Sequence, residues 1–348
     1  MVRQLFFFVL FSCVMVLTQF GRCLERKAVK LSMESQSQIS FACILGLLFC
    51  GSRYIFRVPG VGIHQLVETR YAAVDAHASI WIEPPRTAGN GAEGSEAEAL
   101  DASAEALIAA MDAAGVEAAL LVQPMAAGFD HSYISTTAAG SPRLRYLLLA
   151  DPSRAPNEAS DALAKVARTE AGLAGVRFDP QLWPVAVRRG DWLADATGRA
   201  LFAQCAGLRL AVSVDARNLA SIAPSLENLM DEVPAVAVFL DHWLPDADEA
   251  WAQALTLGVK FPQLHLDVSP LFSESRPPED RDSRMHELLR IYGPGRLLWG
   301  CEFPMPRLRY DAALDSARRW LQRLPGDHAQ LILSGTTKRL FFRARPSR

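Results

Sequence analysis

Cysteine is scarce where the chain would fold. Of six, Cys13, Cys23, Cys43 and Cys50 lie in the first fifty residues, which leaves only Cys205 and Cys301 for everything that follows. Two thiols are no disulfide framework. Charge of one sign is lacking too: the formal net charge is −2, so no field gathers polyanions and nucleic acid is not an expected partner. Also missing is a glycine-rich phosphate loop. Neither the dinucleotide fingerprint nor the Walker pattern follows any strand-like run, which removes the main support for a nucleotide-binding sheet. A small-molecule substrate is the expected partner. No obligatory protein partner is evident, and an oligomer stays open.

What is present is enough apolar residue for a large core. Half of the 348 residues are hydrophobic and 21% are charged, a balance that suits one large domain. The amino terminus stands apart. Arg3 precedes an apolar run from Leu5 to Leu17 broken only by Ser12, no acid occurs before Glu25, and a second apolar run spans Phe41 to Gly51. Residues 1–65 are therefore expected to form a hydrophobic or targeting extension: a secretory signal, a plastid or mitochondrial presequence, a membrane anchor, or a segment with no part in the chemistry of a protein otherwise cytoplasmic. The folded domain is expected over residues 66–348.

From Ala72 onward, short apolar runs alternate with helical patterns. Strands are expected at 73–81, 117–123, 144–150, 174–178, 208–214, 236–242, 264–268 and 296–301, with helices over 96–114, 157–171, 195–206, after Asn218, 247–260, 283–292, 311–324, 326–333 and 336–342. Eight βα units in about 280 residues, with nearly continuous apolar strands, predict a single-domain α/β fold of the closed (β/α)8 TIM barrel type rather than an open doubly wound sheet.

In such a barrel chemistry sits at the carboxyl ends of the strands. Strand one ends on His77, Ser79 and Trp81 above Asp75; strand two on Gln123; strand three on Asp151; strand four on Arg177 and Asp179. Strand five offers Ser213 and Asp215, strand six Asp241 and His242, strand seven Asp267 and Ser269, and strand eight Glu302. Each has a plainer reading: His77 as a core histidine bonded to backbone, Arg177 as a structural ion pair, Asp241 as a support. Together at strand ends they form a candidate site. Arg177 suits a substrate carboxylate because its planar fork binds bidentately. His131 is read as a helix-start or surface residue, and His64, His265, His286 and His328 as structural or exposed.

Val74-Asp75-Ala76-His77, Leu240-Asp241-His242 and Leu298-Trp299-Gly300-Cys301-Glu302-Phe303-Pro304 resemble three signatures of the amidohydrolase-2 (amidohydrolase-related) branch of the metal-dependent hydrolase superfamily. Gln123-Pro124, Phe129-Asp130-His131-Ser132, Gly175-Val176-Arg177-Phe178-Asp179-Pro180 and Leu182-Trp183-Pro184 look similar to its plant, algal and dicarboxylate-lactonase-like members. The resemblance implies a TIM-barrel hydrolase. It also implies a metal gripped by His-x-His on strand one, a further histidine on strand five, and an aspartate on strand eight. Here those positions read His77 and Ser79, then Ser213-Val214-Asp215, then Glu302. A serine hydroxyl is a poor zinc ligand, and glutamate carries its carboxylate outward by one methylene, about 1.5 Å.

Three readings follow from this degenerate metal site. In the first, a metal-independent lactonase-like hydrolase, Glu302 deprotonates water, His77 and His242 polarise the scissile carbonyl, and Arg177, Gln123, Ser79, Asp241 and Trp81 bind substrate. In the second, His77, His242 and Glu302 hold one divalent metal, zinc or manganese, for hydrolysis or decarboxylation. In the third, the barrel has lost catalysis and acts as a binding protein.

Overall fold

Eight parallel strands pair in strict sequence order, β1 to β8, in a computed structural model that describes residues 71–82, 101–183, 192–243, 247–272, 277–304 and 309–343. They are β1 Ala73–Ala78, β2 Val116–Val122, β3 Leu144–Leu149, β4 Leu173–Phe178, β5 Ala211–Asp215, β6 Val238–Asp241, β7 Leu264–Asp267 and β8 Leu297–Leu298. The helices are α1 Ala104–Ala114, α2 Ser132–Ala139, α3 Pro156–Thr169, α4 Ala196–Leu208, α5 Leu219–Glu232, α6 Asp248–Lys260, α7 Pro278–Tyr292, α8 Tyr310–Leu321, α9 Gly326–Gln330 and α10 Thr336–Phe341. This is the (β/α)8 barrel that the apolar rhythm predicts. The amino-terminal extension and the Gly- and Pro-rich stretch 83–94 lie outside the described residues. Among the described residues, no helix is long and apolar enough to cross a membrane.

Local chemistry sets the helix ends. Ser103 caps α1 by accepting from Ala106 N at 3.1 Å, and Gly115 ends it in the left-handed region at φ 70. Asp195 caps α4 by accepting from Gly198 N at 2.6 Å. Helix α2 is not expected from its Ser- and Thr-rich sequence, since those residues are weak helix formers; burial of Ile134 and Ala138 gives it a face to pack. His131 occupies the position before its first turn, as read from sequence, and pairs with Glu170 at 3.4 Å.

The apolar core has two layers. Most of it fills the space between strands and helices, whereas Ala76, Leu120, Val122, Leu147, Ala174, Ala211, Phe239 and Leu298 form the inner cluster, joined by Phe341 of α10. Phe341 meets Phe239 edge-on at 6.0 Å. The interior cluster is thus apolar low in the barrel, and Arg177, Asp215 and Asp241 lie toward the carboxyl ends of their strands.

The eighth strand is shorter than expected. It keeps ladder structure for two residues only, and the seam to β1 is closed by the loop beyond it. Ala76 N donates to Trp299 O at 3.0 Å, Glu302 N to His77 O at 2.8 Å, and Ser79 N to Phe303 O at 2.7 Å. Gly300 explains the break: a Cβ there would stand 2.8 Å from both the Cβ and the backbone N of His77. Its own N–H bonds the Ser269 hydroxyl at 2.7 Å instead of a strand partner.

Candidate active site

Strand alternation carries the barrel from apolar floor to ionic rim. On β5 the sequence Ala211, Ser213, Asp215 runs up one face, and on β6 Phe239 and Asp241 do the same, with Asp215 and Asp241 in register. Ser213 Oγ donates to Asp241 Oδ2 at 2.8 Å, so the lower polar layer holds the upper one in place.

Asp215 is the hub. Its Oδ2 accepts from Arg217 Nη2 at 2.7 Å, from His242 Nδ1 at 2.9 Å and from Arg177 Nη2 at 3.1 Å, while Oδ1 accepts from Arg217 Nε at 2.9 Å. Burial opposes its ionisation, but the hydrogen bonds from His242 and Arg217 and the charge of Arg177 hold the carboxyl well below its ordinary range. Arg177 is 3% exposed. Its Nη2 also lies 3.0 Å from His242 Nδ1 and 3.6 Å from Asp241 Oδ1. A guanidinium has no lone pair to offer, so the proton on Nδ1 of His242 goes to Asp215.

The two strand-end histidines are in ring contact, with centroids 4.6 Å apart, yet their environments push them in opposite directions. Burial and the positive neighbours His242 and Arg177 lower His77 well below the ordinary imidazole value. Burial also works against the charge on His242, but its bond to Asp215 and the nearby Asp241 outweigh it and raise its pKa. The surroundings thus favour the neutral form of one imidazole and the charged form of the other, the kind of split that accompanies acid–base work. His77 Nδ1 is 3.9 Å from Asp241 Oδ2 and has no hydrogen-bond partner among the described residues. His242 and Glu302 both take positive φ, 50 and 57, a left-handed backbone that re-aims each side chain at the end of its strand.

Two carboxylates named among the strand-end residues, but given no role in the three readings, prove central to the rim. Asp267, fully buried, accepts from Ser269 N at 2.8 Å and Ser269 Oγ at 2.5 Å through Oδ1; burial and the nearby charge of Glu302 push its pKa up to about 8. Asp75 joins β1 to the loop before Glu302. It accepts from His77 N and Cys301 N at 2.9 Å each, from Cys301 Sγ at 2.8 Å and from Tyr310 OH at 2.9 Å. Burial raises its pKa to about 6 against those four donors. This connection sets His77 and half-buried Glu302 on one scaffold. Only the Asp and Cys of the signatures hinted at it; Tyr310 gave no sign.

Other sequence candidates are placed differently. Ser79 turns its hydroxyl to Val122 O at 2.9 Å, on the neighbouring strand. Gln123 spends both amide protons on Gly128 O and Asp130 O, at 2.8 and 3.1 Å, and accepts from Leu149 N at 2.9 Å, so it pins the loop after β2. Trp81 is half-buried, and its Nε1 finds no acceptor among the described residues. Arg217, two residues beyond the β5 hub and absent from the sequence candidates, has a side chain 46% exposed and so offers positive charge at the mouth.

Among the described residues the donors that come together are Asp215, Asp241 and His242, all within 4.8 Å of one another, rather than the expected His77, His242 and Glu302. Arg177 Nη2 already stands among these atoms at 3.1, 3.6 and 3.0 Å. With the guanidinium there, the donor set does not fit a metal ion.

An eight-stranded barrel with ionisable groups gathered at its carboxyl rim defines a barrel enzyme. Residues 74–343 match the amidohydrolase family Amidohydro_2, and the chain belongs to it. Membership in an amidohydrolase family makes this a hydrolase-type enzyme. Solved structures that share the fold include three of stated kind. One, assigned as a 2-pyrone-4,6-dicarboxylic acid hydrolase from Pseudomonas putida, is 20% identical with a TM-score of 0.59, over 79% of this chain and 99% of that one. An amidohydrolase from Burkholderia multivorans with bound zinc is 22% identical with a TM-score of 0.62, over 77% and 98%. A 2,6-dihydroxybenzoate decarboxylase complexed with 2,6-dihydroxybenzoate is 15% identical with a TM-score of 0.56, over 78% and 98%. The closeness to plant and algal members finds no support in these comparisons. A search of the curated proteins found no match.

Proposed function

We propose that this chain hydrolyses a lactone, or a related C–O or C–N acyl bond, in a small carboxylate-bearing substrate, with water activated by protein groups rather than by a metal. The observation that carries the reading is the pair of histidines in contact at 4.6 Å, one tied through Nδ1 to buried Asp215, on the same scaffold as Glu302. Glu302 takes a proton from water, and the water oxygen bonds to the acyl carbon. His242 and His77 stabilise the oxyanion as it forms. The acyl C–O bond then breaks, and the leaving oxygen receives the proton held by Glu302. Arg177 and the more exposed Arg217 supply the positive side of the site to a substrate carboxylate. Metal independence is supported by the position of Arg177 Nη2 among the would-be ligands. The acid named for the Pseudomonas relative, a pyrone ring bearing two carboxylates, is the substrate class this arrangement would accept.

The test is turnover of full-length protein on a panel of carboxylated lactones, with and without chelator. Hydrolysis should survive the chelator, and Glu302→Gln should lower kcat by about 100-fold or more while KM changes little, because the amide keeps the shape but cannot accept a proton. Undiminished kcat in that variant would remove Glu302 as the base. Absence of turnover across the panel, with ligand still bound, would favour a binding protein.

A further inference from the structure

We infer that Arg177 is the resident cation of a metal-type ligand cluster, so that Asp215, Asp241 and His242 form a latent divalent-metal site that opens when the guanidinium is removed. The inference rests on the metal-independent part of the proposed function. Three donor atoms from two adjacent strands converge within 4.8 Å, an arrangement otherwise suited to one small cation. Arg177 Nη2 stands where that cation would be, 3.1 Å from Asp215 Oδ2, 3.0 Å from His242 Nδ1 and 3.6 Å from Asp241 Oδ1.

The fit of the guanidinium is incomplete, and the incompleteness points to the ligand. Asp241 is fully buried, yet its Oδ1 has no hydrogen-bond partner; at 3.6 Å it is attracted to Arg177 without being bonded to it. Arg177 Nε is likewise buried and unpartnered. The planar guanidinium bonds Asp215 Oδ2 and leaves Asp241 Oδ1 unbonded, whereas a spherical ion can take both oxygens, and Nδ1 of His242 once that nitrogen gives up its proton. The cluster is held from outside. Ser213 fixes Asp241 Oδ2, and Arg217 fixes both oxygens of Asp215, so the donors keep their places when Arg177 is shortened. Asp179, 3.6 Å from Arg217, balances that second arginine from the far side.

The barrel thus meets with a side chain a need for counter-charge that an ion could also meet. Two buried carboxylates facing each other require a counter-charge, and β4 delivers it as Arg177. Arg177→Met removes the charge and the Nη2 atom while keeping an unbranched side chain.

The experiment is a zinc and manganese titration of the full chain, read by elemental analysis after desalting and by metal-dependent shift in melting temperature. Wild type should retain no stoichiometric metal and show no metal-dependent shift. Arg177→Met should retain one ion per chain after desalting, where wild type retains none. Its melting temperature should climb with metal concentration, as linkage requires of a ligand that binds only the native state. Arg177→Lys, which keeps a cation in place, should not bind, and His242→Ala added to Arg177→Met should abolish the gain. Stoichiometric tight metal in wild type would overturn the inference. So would an Arg177→Met protein that folds without gaining metal, or one that fails to fold and is not rescued by either ion. Chelator-resistant lactone turnover by wild type, with no metal gain in Arg177→Met, would reject the latent site and leave the proposed function standing; metal gain in Arg177→Met with no turnover by wild type would do the reverse.

Discussion

Replacing Asp267 by Asn should change how stability depends on pH. Asp267 is fully buried, and its pKa is raised from 3.8 in the unfolded chain to about 8 by burial first and by the charge of Glu302 second. Between these two values the native protein holds a proton that the unfolded chain has released. An acid whose folded pKa is raised contributes stability that is fully present below the unfolded value and is lost as pH rises through the folded value. Over that window the slope is about −1.4 kcal/mol per pH unit from this group alone. Asn keeps the shape, still accepts from Ser269 N and Oγ, and does not titrate. From pH 5 to pH 7.5 the variant should therefore gain about 3 kcal/mol relative to wild type, on the same linkage slope. Urea unfolding at half-unit pH steps, with the m-value checked for constancy, measures it. Parallel stability curves for the two proteins would refute the reasoning, because they would mean that Asp267 ionises in the native state as readily as in the unfolded chain.

Gly300→Ala should destabilise by about 1–3 kcal/mol, the cost of forcing a methyl group into a filled space, since its Cβ would meet the His77 backbone at 2.8 Å. The same shift should lower kcat on any lactone substrate, and a variant as stable as wild type would show that the seam yields. Phe341→Ala should cost about 3–5 kcal/mol in chemical denaturation by emptying the floor of the barrel; a loss below about 1 kcal/mol would mean that Leu340 and Phe342 refill it.

Much of this architecture was legible in one dimension. Continuous apolar runs alternating with helical periodicity admit few folds, and the rule that barrel chemistry lies at strand carboxyl ends selected His77, Arg177, Asp241, His242 and Glu302. All five stand at that rim. The motif around Glu302 also pointed to the family. What strand periodicity cannot report is which neighbour a side chain meets. Ser79 and His77 share a strand end, yet one hydroxyl bonds the Val122 carbonyl and one imidazole faces His242. Arg177 and Asp215 are 38 residues apart, and their contact at 3.1 Å depends on the register of β4 against β5.

From the sequence alone, then, came the barrel, its family and the set of groups delivered to the rim, because hydrophobic periodicity and local signatures are properties of consecutive residues. The tertiary structure decided that β8 gives way after two residues to a loop stitched onto β1, that Asp75, Cys301 and Tyr310 lock that loop, and that an arginine rather than an open coordination position lies among Asp215, Asp241 and His242. These are outcomes of ångström-scale distance between remote segments. They follow from strand stagger and backbone approach, which only the closed barrel specifies.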